Sequence, residues 1–591
     1  MFKLFKYFKK SDWLFTALLI VIVALQVNLD LMLPDLMGDI VGFIQYNALY
    51  EEPLREILRT GGLMLLVVAG GLMLLVVAGG FVCKLFSNLI ASHITSKLAR
   101  TLRSKIFKNV NSFSMEEMEK FSTASLITRT TNDVMQIQQT MMMLLKFGII
   151  APVMAISAVV RVVNSSLELS LATGVAVVAL LLIIMTVFLV ASPKFSVMQK
   201  KVDRLNGVTR ENLTGLRVVR AYNAEDYQTE KFRDANEDLT RVNMFVNKVM
   251  CIMFPGMNLV MSGLMLTIYW LGASLINAGN LDYSTMAVFS QYSMQVLMSF
   301  LVLCMLLVVM PRANVSAKRI IEVIDTKSKI VEGERTQGEE NEKGVVEFKN
   351  VSFRYPDAEE YVLHDISFKA ERGQTVAFIG PTGSGKSTIV NLLPRFYDAS
   401  EGQVLVDGVD VKEYREKSLN DKLGYVPQKS LLFFGSVKDN IVYGSEGKIS
   451  DEKVEEALKV AQADFVFGLP EKTDYHIAQG GKNVSGGQRQ RLSIARAIAK
   501  NPEIYIFDDS FSALDYKTDS ALRAALKEYT KDATSIIVAQ RIGTIMDADQ
   551  IIVLEEGRIA GKGTHRELMQ NCPLYREIAF SQLSAEELEN G

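Results

Sequence analysis

The chain contains 591 residues with a formal net charge of −2; 49% of its residues are hydrophobic and 22% are charged. These averages are those of ordinary globular proteins, so they exclude disordered, collagen-like and disulfide-scaffold classes. The balanced charge gives no reason to expect nucleic acid as a partner.

The first half of the chain contains six apolar segments that are long enough, or nearly long enough, to cross a membrane. A transmembrane helix needs roughly 20 mostly apolar residues. The third segment is short, and it reaches that length only if Lys146 and Arg161 extend their charged ends toward the two interfaces. We predict an all-α transmembrane domain over residues 1–325. Its spans are Trp13–Leu29, Gly61–Cys83, Phe147–Val160, Leu169–Pro193, Val249–Leu281 and Tyr283–Pro311.

The distribution of basic residues between these spans predicts their orientation. Lysines precede the first span, and the segments 92–138 and 194–248 are rich in Lys and Arg, whereas 164–168 and 277–282 contain neither. Because basic residues collect on the cytoplasmic side, both termini and the second half of the chain are expected in the cytosol. No small-residue cleavage site follows the first span, so we do not interpret it as a signal peptide. We expect a bacterial plasma membrane.

The two basic segments are too long for simple loops and retain helical periodicity. We interpret them as extensions of the spans into the cytosol. Each is predicted to turn at a short segment, near Met115–Lys120 and Gly215–Tyr222.

Two stripes of residues recur at every fourth position on the last two spans. Methionines run from Met253 to Met265, and the sixth span carries Gln291, Gln295 and Ser299. Flexible thioethers suit a surface that accepts varied apolar ligands, although ordinary helix packing also explains them. Buried amides in a membrane face a partner or a water-filled cavity. The candidate residues of a substrate cavity are Met257, Met261, Gln291 and Gln295.

A polar segment, residues 326–344, is predicted to link the transmembrane domain to a soluble domain over residues 345–585, with a tail at 586–591. Short β-rich runs alternate with helical ones there, which is typical of an α/β fold. The predicted strands are Val345–Val351, Thr375–Ile379, Gln403–Val406, Ile504–Phe507, Ser535–Val538 and Ile551–Leu554.

A glycine-rich loop follows the strand Thr375–Ile379 and opens a helix. Its glycines let backbone N–H groups converge on phosphate oxygens, and the helix N-terminus adds positive potential. In this motif Lys386 reaches the terminal phosphates and the Ser387 hydroxyl binds Mg²⁺. The residues expected to bind the nucleotide are Gly380, Pro381, Thr382, Gly383, Ser384, Gly385, Lys386, Ser387 and Thr388.

The strand Ile504–Phe507 ends at Asp508, where a second oxygen ligand for the same metal is expected. These two motifs together predict a P-loop NTPase anchored to a membrane domain.

A third motif, Ser485-Gly486-Gly487-Gln488, opens a helix upstream of Asp508. A free serine and the glycine N–H groups there predict an anion site whose ligand lies outside its own chain. The motif resembles the signature of ATP-binding cassette (ABC) proteins. The rest of the set resembles that family in the same order: Tyr355, then Gln428, then Ser512 to Asp515.

The whole chain therefore resembles an ABC exporter half-transporter, and the resemblance implies several roles. Tyr355 would stack on adenine, Gln428 would contact the metal and Asp515 would belong to the D-loop. ATP with Mg²⁺ would be sandwiched between two cassettes, each completed by the partner's signature motif. Closure would switch the membrane cavity from inward- to outward-facing. The two cytosolic turns would be coupling helices, the second docking on the partner's cassette.

The chain departs from the family pattern at two catalytic positions. The family expects glutamate after the metal-binding aspartate and histidine in the switch after the last core strand; this chain has Asp509 and Gln540. Glutamate acts as general base or orients the attacking water. The pair resembles the degenerate site of a heterodimeric exporter, whose intact signature motif completes a competent site on a different chain.

The sequence leaves several functions open. The leading hypothesis is an ATP-driven exporter of amphipathic small molecules that works as paired halves in a lipid membrane. A slow homodimer that uses Asp509 and a lipid or peptide translocator are alternatives within the family. An ATP-gated regulatory or channel-like membrane protein is an alternative of another class.

Overall fold

In a computed structural model, the chain divides into two compact units, Met1–Val110 with Ala124–Thr326, and Asn111–Thr123 with Lys327–Gly591. The structure describes residues 2–48, 54–356, 358–445 and 447–583, so the predicted tail at 586–591 lies outside the described residues. The domain limits expected from the sequence stay a prediction. The short segment 111–123 groups with the second unit by its contacts.

Long helices dominate the first unit, as the apolar runs predict. Six helical segments among the described residues are long and apolar enough to cross a membrane. A helix suits this environment because it satisfies each backbone N–H and C=O within itself, where no water is available. The helices of the first half of the chain are α1 Lys10–Ala48, α2 Leu54–Val110, α3 Met115–Phe121, α4 Thr123–Thr128, α5 Val134–Ser165, α6 Leu167–Thr214, α7 Leu216–Ala221, α8 Glu225–Asn277 and α9 Tyr283–Asp325.

Two short helices lie at the predicted turns of the two basic segments. Helix α3 occupies the first turn and α7 the second. The long helices continue well past the apolar runs; α8, for example, has 53 residues. The prediction that the spans extend as helices and turn at short segments is therefore confirmed.

Arg161, which flanks the third predicted span, has polar partners on two other helices. Arg161 lies inside α5, where its guanidinium donates to the Leu31 carbonyl oxygen (2.8 Å) and to the Tyr292 hydroxyl (2.6 Å). It also forms an ion pair with Asp35. These partners come from α1 and α9, so polar groups of two other helices compensate the guanidinium. The expectation that it extends toward an interface stays a prediction.

The second unit contains a four-stranded sheet of order β2-β1-β4-β5 and a six-stranded sheet of order β12-β11-β3-β10-β9-β6. The strands are β1 Val346–Phe353, β2 Leu363–Ala370, β3 Thr375–Ile379, β4 Glu401–Val406, β5 Val409–Asp410, β6 Leu423–Val426, β7 Gly435–Ser436, β8 His476–Ile477, β9 Ile504–Asp508, β10 Thr534–Val538, β11 Gln550–Glu555 and β12 Arg558–Gly563. The short strands β7 and β8 pair only with each other.

The helices of this unit surround the six-stranded sheet. They are α10 Lys386–Leu392, α11 Glu416–Lys422, α12 Val437–Ile441, α13 Asp451–Val460, α14 Gly486–Lys500, α15 Tyr516–Tyr529, α16 Ile542–Ile545, α17 His565–Asn571 and α18 Pro573–Gln582. The architecture is an all-α membrane domain followed by an α/β cassette, as predicted.

Parallel pairing places the functional loops at one edge. Strands β3, β10, β9 and β6 run parallel, and Val538 pairs with both Phe378 and Asp508. Because parallel strands end at the same edge, the loops after them lie side by side. Apolar side chains of the two larger sheets form the core beneath that edge, among them Phe348 and Phe378.

A buried ion pair closes the turn between β4 and β5. The Asp407 carboxylate accepts from the Gly344 amide (2.7 Å) and from Lys422 Nζ (2.5 Å), and Lys422 also bonds Glu503 (3.2 Å). Asp407 is 1% exposed, so its charge depends on these partners.

Replacing this carboxylate is expected to destabilise the cassette. Asp407→Ala leaves the Lys422 charge with less compensation, and breaking a buried pair costs about 3–5 kcal/mol. Thermal unfolding of the purified chain measures the loss. The matched control is Asp451→Ala, which removes the exposed ion pair with Lys438 (2.5 Å) and should change little. Equal shifts for the two variants would contradict the structural role of Asp407.

Candidate nucleotide-binding site and membrane residues

The glycine-rich loop lies between β3 and α10 and has a backbone that only glycine adopts easily. Gly383 and Gly385 have φ values of +87° and +94°. A Cβ on Gly380 would lie 2.1 Å from the Leu554 carbonyl oxygen, whereas one on Gly383 would meet nothing within 4 Å. The loop is therefore packed tightly at its start and open at its middle, where its amides are free to approach an anion.

Lys386 folds over this loop. Its Nζ donates to the carbonyl oxygens of Gly380 (2.8 Å) and Pro381 (2.7 Å). Burial lowers the pKa of the ammonium, and the carboxylates of Asp509 and Asp508 oppose that change. A charged lysine that has lost part of its hydration gains from contact with an anion, so its position suits phosphate binding.

The residues expected to hold the metal lie together at the end of β9. The Ser387 hydroxyl donates to Asp508 Oδ1 at 2.8 Å. Burial raises the pKa of Asp508, the Ser387 hydrogen bond lowers it and the Asp509 charge raises it. Hydroxyl and carboxylate oxygens are ligands that Mg²⁺ prefers, and it commonly takes few protein ligands together with phosphate oxygens. The donor set therefore fits Mg²⁺.

The two positions that depart from the family pattern touch each other. Asp509 Oδ2 accepts from Gln540 Nε2 at 2.7 Å and from Gln428 Nε2 at 3.2 Å. Asp509 is buried and has a left-handed backbone, with φ at +47°, which aspartate tolerates better than most residues. Gln428 therefore lies beside Asp509, with its amide nitrogen directed to that carboxylate.

The signature motif starts α14 in a different role from the one its sequence suggests. Ser485 is the N-cap: its hydroxyl oxygen accepts from the Gln488 amide (3.2 Å), and Gln488 Oε1 accepts from the Ser485 amide (2.8 Å). The serine oxygen is therefore used by its own helix, although its hydroxyl hydrogen can still be donated. Within the described part of the chain, no hydrogen bond joins Gly486 or Gly487 to the glycine-rich loop.

Asp515 is the N-cap of α15, the helix that follows β9. Its carboxylate accepts from the Thr518 amide (3.0 Å) and hydroxyl (2.8 Å). The Thr518 amide and hydroxyl hold the pKa of Asp515 below its usual value. Asp515 thus stays charged and fixed at an exposed helix start.

Tyr355 follows β1 and reaches the helix after the glycine-rich loop. Its hydroxyl forms a hydrogen bond with Thr388 Oγ1 at 3.1 Å. The Phe353 ring meets it edge-to-face, with ring centroids 4.9 Å apart. A flat base could stack on the remaining surface of this half-buried ring.

The candidate cavity residues of α8 and α9 differ in exposure. Met257 is buried, Met261 and Gln295 are half-buried and Gln291 is exposed. The buried Gln295 Oε1 accepts no hydrogen bond from any residue that the structure describes, and the same is true of Gln26 Oε1 on α1. The methionines therefore include packing positions. Among the described residues of this unit, three glutamines carry a buried oxygen without a donor: Gln26, Gln295 and Gln228 of the predicted extension.

Sequence reasoning named Arg161 but missed its partners Asp35 and Tyr292, and it missed Gln26. Asp35, Arg161 and Tyr292 contact one another across α1, α5 and α9. Asp35 lay beyond the predicted end of the first span, and Gln26 lay within it. The sequence did contain a signal for these residues: a charged or amide side chain within or next to an apolar run is expected to have a polar partner.

Family models match most of both units. The transmembrane region of ABC transporters matches residues 16–300, and the ABC transporter ATP-binding model matches residues 363–512. A lipid A-core flippase of Haemophilus influenzae is 31% identical, over 85% of this chain and 86% of its own length. The chain belongs to the ABC transporter family.

Other relatives of this ABC transporter carry different names. An uncharacterized ABC transporter ATP-binding protein of Mycobacterium bovis is 39% identical over 85% of this chain and 86% of its own. A putative multidrug export ATP-binding/permease protein of Staphylococcus aureus is 32% identical over 83% and 85%. A solved bacterial Atm1-family ABC exporter with ATP bound matches with a TM-score of 0.79 and 25% identity, covering 98% of this chain and 99% of its own.

These findings establish the coarse features of the transporter. It is an ABC exporter half, with a six-span membrane domain and an ATPase domain that binds ATP, and such exporters act as dimers. Its six membrane-spanning helices and its bacterial relatives indicate a bacterial inner-membrane protein.

Ser387 offers a direct test of the metal site in the transporter. Ser387→Ala removes the hydroxyl beside Asp508, so Mg²⁺ should no longer strengthen ATP binding, while metal-free binding through the loop amides persists. Titration of a fluorescent ATP analogue with and without Mg²⁺ measures both. Ser581→Ala, which removes a hydroxyl on α18 that donates to the Ile578 carbonyl oxygen (2.7 Å), is the control. A Mg²⁺ dependence that survives in Ser387→Ala would place the metal elsewhere.

Proposed function

We propose that this chain is the degenerate-site half of a heterodimeric ABC exporter that extrudes amphipathic small molecules. The observation that carries the proposal is the contact between Asp509 and Gln540. The two substituted positions form one hydrogen-bonded pair, so they act together on the same catalytic step. Lys386, Ser387 and Asp508 are all in place beside them.

The geometry supports ATP binding by residues of this chain. The glycine-loop amides and Lys386 would hold the phosphates, and Tyr355 would stack on the base. Mg²⁺, when bound, neutralises charge on the phosphate oxygens; Ser387 and Asp508 are the residues that would hold it. The charged lysine and the buried carboxylate both gain from these partners, since each is partly stripped of water.

The same geometry argues against fast hydrolysis at this site. Aspartate is shorter than glutamate by roughly 1.5 Å, the length of one carbon–carbon bond. Its Oδ2 is already engaged by two amide groups, from Gln540 and Gln428. A misplacement of about 1 Å costs on the order of 100-fold in rate. Asp509 is therefore poorly placed to orient the attacking water.

Gln540 supports the same conclusion on the phosphate side. A glutamine amide can donate to a γ-phosphate oxygen but cannot carry the positive charge of an imidazolium. In this structure its Nε2 donates to Asp509, so the amide would have to leave that partner to reach a phosphate. Binding without fast turnover follows from both substitutions.

A partner half would use the signature motif of this chain. Ser485 and the amides of Gly486 and Gly487 stand at the start of α14, where a helix N-terminus favours an anion. Because the motif is complete, it would complete a competent ATP site on the partner. Asp515, which follows the motif in the sequence, would belong to the D-loop. A slow homodimer is the alternative within the family.

The membrane unit supports an amphipathic substrate. Gln295 on α9 and Gln26 on α1 each carry a buried oxygen without a hydrogen-bond donor among the described residues. Such amides in a membrane face a cavity that supplies polar partners. Met257 and Met261 on α8 would add adaptable apolar surface. The named relatives include both a lipid flippase and a multidrug exporter, so a lipid is the second candidate substrate.

We place both termini and the cassette in the cytosol, with the chain in the inner membrane. The basic segments 92–138 and 194–248 carry α3 and α7, which lie between long membrane helices. Their Lys and Arg content supports a cytoplasmic position.

ATP turnover by this chain alone tests the degenerate site. In lipid nanodiscs the wild type should show a rate close to that of the Lys386→Ala blank, while still binding ATP. The double variant Asp509→Glu/Gln540→His should hydrolyse at least 10-fold faster, because both missing groups are restored. The single variants serve as controls. A wild-type rate of about 1–10 s⁻¹, that of a working enzyme, would instead support the homodimer.

The glutamines of α9 test the substrate cavity. With both halves present, Gln291→Leu/Gln295→Leu should change by several-fold the substrate concentration that gives half-maximal stimulation of ATPase activity. Gln291→Asn/Gln295→Asn retains the amides and should change it less. An unchanged profile in the leucine variant would assign these glutamines to helix packing.

A further inference from the structure

Three aromatic rings lie together beside the proposed base-binding position. Tyr397 meets Tyr355 edge-to-face, with centroids 5.4 Å apart and planes at 87°. Phe353 contacts both rings, at 4.9 Å from Tyr355 and 5.6 Å from Tyr397. The orientation of the Tyr355 ring is thus set by two neighbours and by its hydrogen bond to Thr388.

The Tyr397 hydroxyl connects this trio to helix α3. It donates to Glu119 Oε1 at 2.9 Å across a separation of 278 residues. Burial raises the pKa of the Tyr397 phenol, and the Glu119 carboxylate raises it further, so the phenol stays protonated and donates. Hydrogen bonds to a charged group are stronger than neutral ones, which makes this contact specific.

Helix α3 is held on its other side by a second glutamate. Glu117, two residues before Glu119, is buried and accepts from the Ser114 amide (2.9 Å) and the Lys329 amide (3.2 Å). Residues two apart on a helix point to nearly opposite sides. One face of α3 is therefore fixed to its own N-terminus and the linker, while the other face bonds Tyr397.

Residues of α3 and of the loop after β1 line a cavity of about 280 Å³. Tyr355 and Glu119 both belong to its lining. The lining residues are Glu116, Glu119, Lys120, Tyr355, Pro356 and Ala358. A base stacked on Tyr355 would lie near α3, whereas the phosphates lie at the glycine-rich loop.

We propose that Tyr397 and Glu119 are positioning residues that connect the base of ATP, stacked on Tyr355, to helix α3. Helix α3 then responds to the base and not to the phosphates. The proposal rests on ATP binding by this chain, as set out above. A base that restrains Tyr355 also restrains Tyr397, and the phenol bond passes that restraint to α3.

Hydrogen exchange of the full chain in nanodiscs tests this connection. MgATP should slow exchange in peptides covering both the glycine-rich loop (380–392) and α3 (111–123). Saturating magnesium tripolyphosphate, which has no base, should protect the loop and leave α3 unchanged. The Tyr355→Ala variant with saturating MgATP gives the same comparison without depending on tripolyphosphate binding.

Tyr397→Phe keeps the ring and removes the bond to Glu119. It should bind ATP within about 3-fold of wild type, since the aromatic packing persists, yet lose the protection of α3. Glu119→Ala should also lose the protection of α3, whereas Glu119→Gln should retain it because the amide oxygen still accepts. The double variant Tyr397→Phe/Glu119→Ala should lose no more protection than either single variant, since both remove the same bond. Tyr361→Phe, which removes a hydroxyl that donates to Glu401 (2.9 Å), is the control.

Two results would overturn the link itself while ATP binding stands: equal α3 protection by tripolyphosphate and by ATP, or full ATP-dependent protection in Tyr397→Phe. Failure of ATP to protect the glycine-rich loop would instead refute nucleotide binding by this chain, and the link with it.

Discussion

The nucleotide half depends on one geometric constraint: four parallel strands that end at the same edge. Strands β3, β10, β9 and β6 are in register, so the glycine-rich loop, Gln540, Asp508 and Gln428 all follow strands that stop together. Burial raises the pKa of Asp508, and repulsion from the Asp509 carboxylate raises it further. A nearby cation, either Lys386 or a metal, favours the ionised form of the carboxylate and so offsets that repulsion.

Much of this could be predicted from local patterns. Apolar runs of membrane length located the long helices, and the strand Thr375–Ile379 was predicted with the bounds that the structure gives it. The ends of the other predicted strands lie one or two residues away from those in the structure, because a pattern of apolar residues does not show where ladder hydrogen bonds stop. Strands β2 and β12 were missed, since β12 and the exposed face of β2 carry many polar residues. The four-residue strand β6 and the two-residue strands β5, β7 and β8 were missed as well.

What the sequence did not show were contacts between distant positions. Asp509 and Gln540 were each recognised as unusual, but their mutual hydrogen bond depends on the pairing of β9 with β10. The bond between Tyr397 and Glu119, and the cluster around Arg161, likewise join elements that are far apart in the chain. Local periodicity predicts which face of a helix is apolar, not which residue of another element meets it.

The great length of the membrane helices has a mechanical consequence. Helix α8 continues for 53 residues, with Pro255 inside it, and spans roughly 80 Å at 1.5 Å per residue. An element of that length amplifies small angles: a tilt of about 5° at one end displaces the other by roughly 7 Å. A slight rearrangement of side chains in the apolar part of the helix is thus enough to move its far end by more than one helical turn, and a movement of that far end tilts the apolar part in the same way.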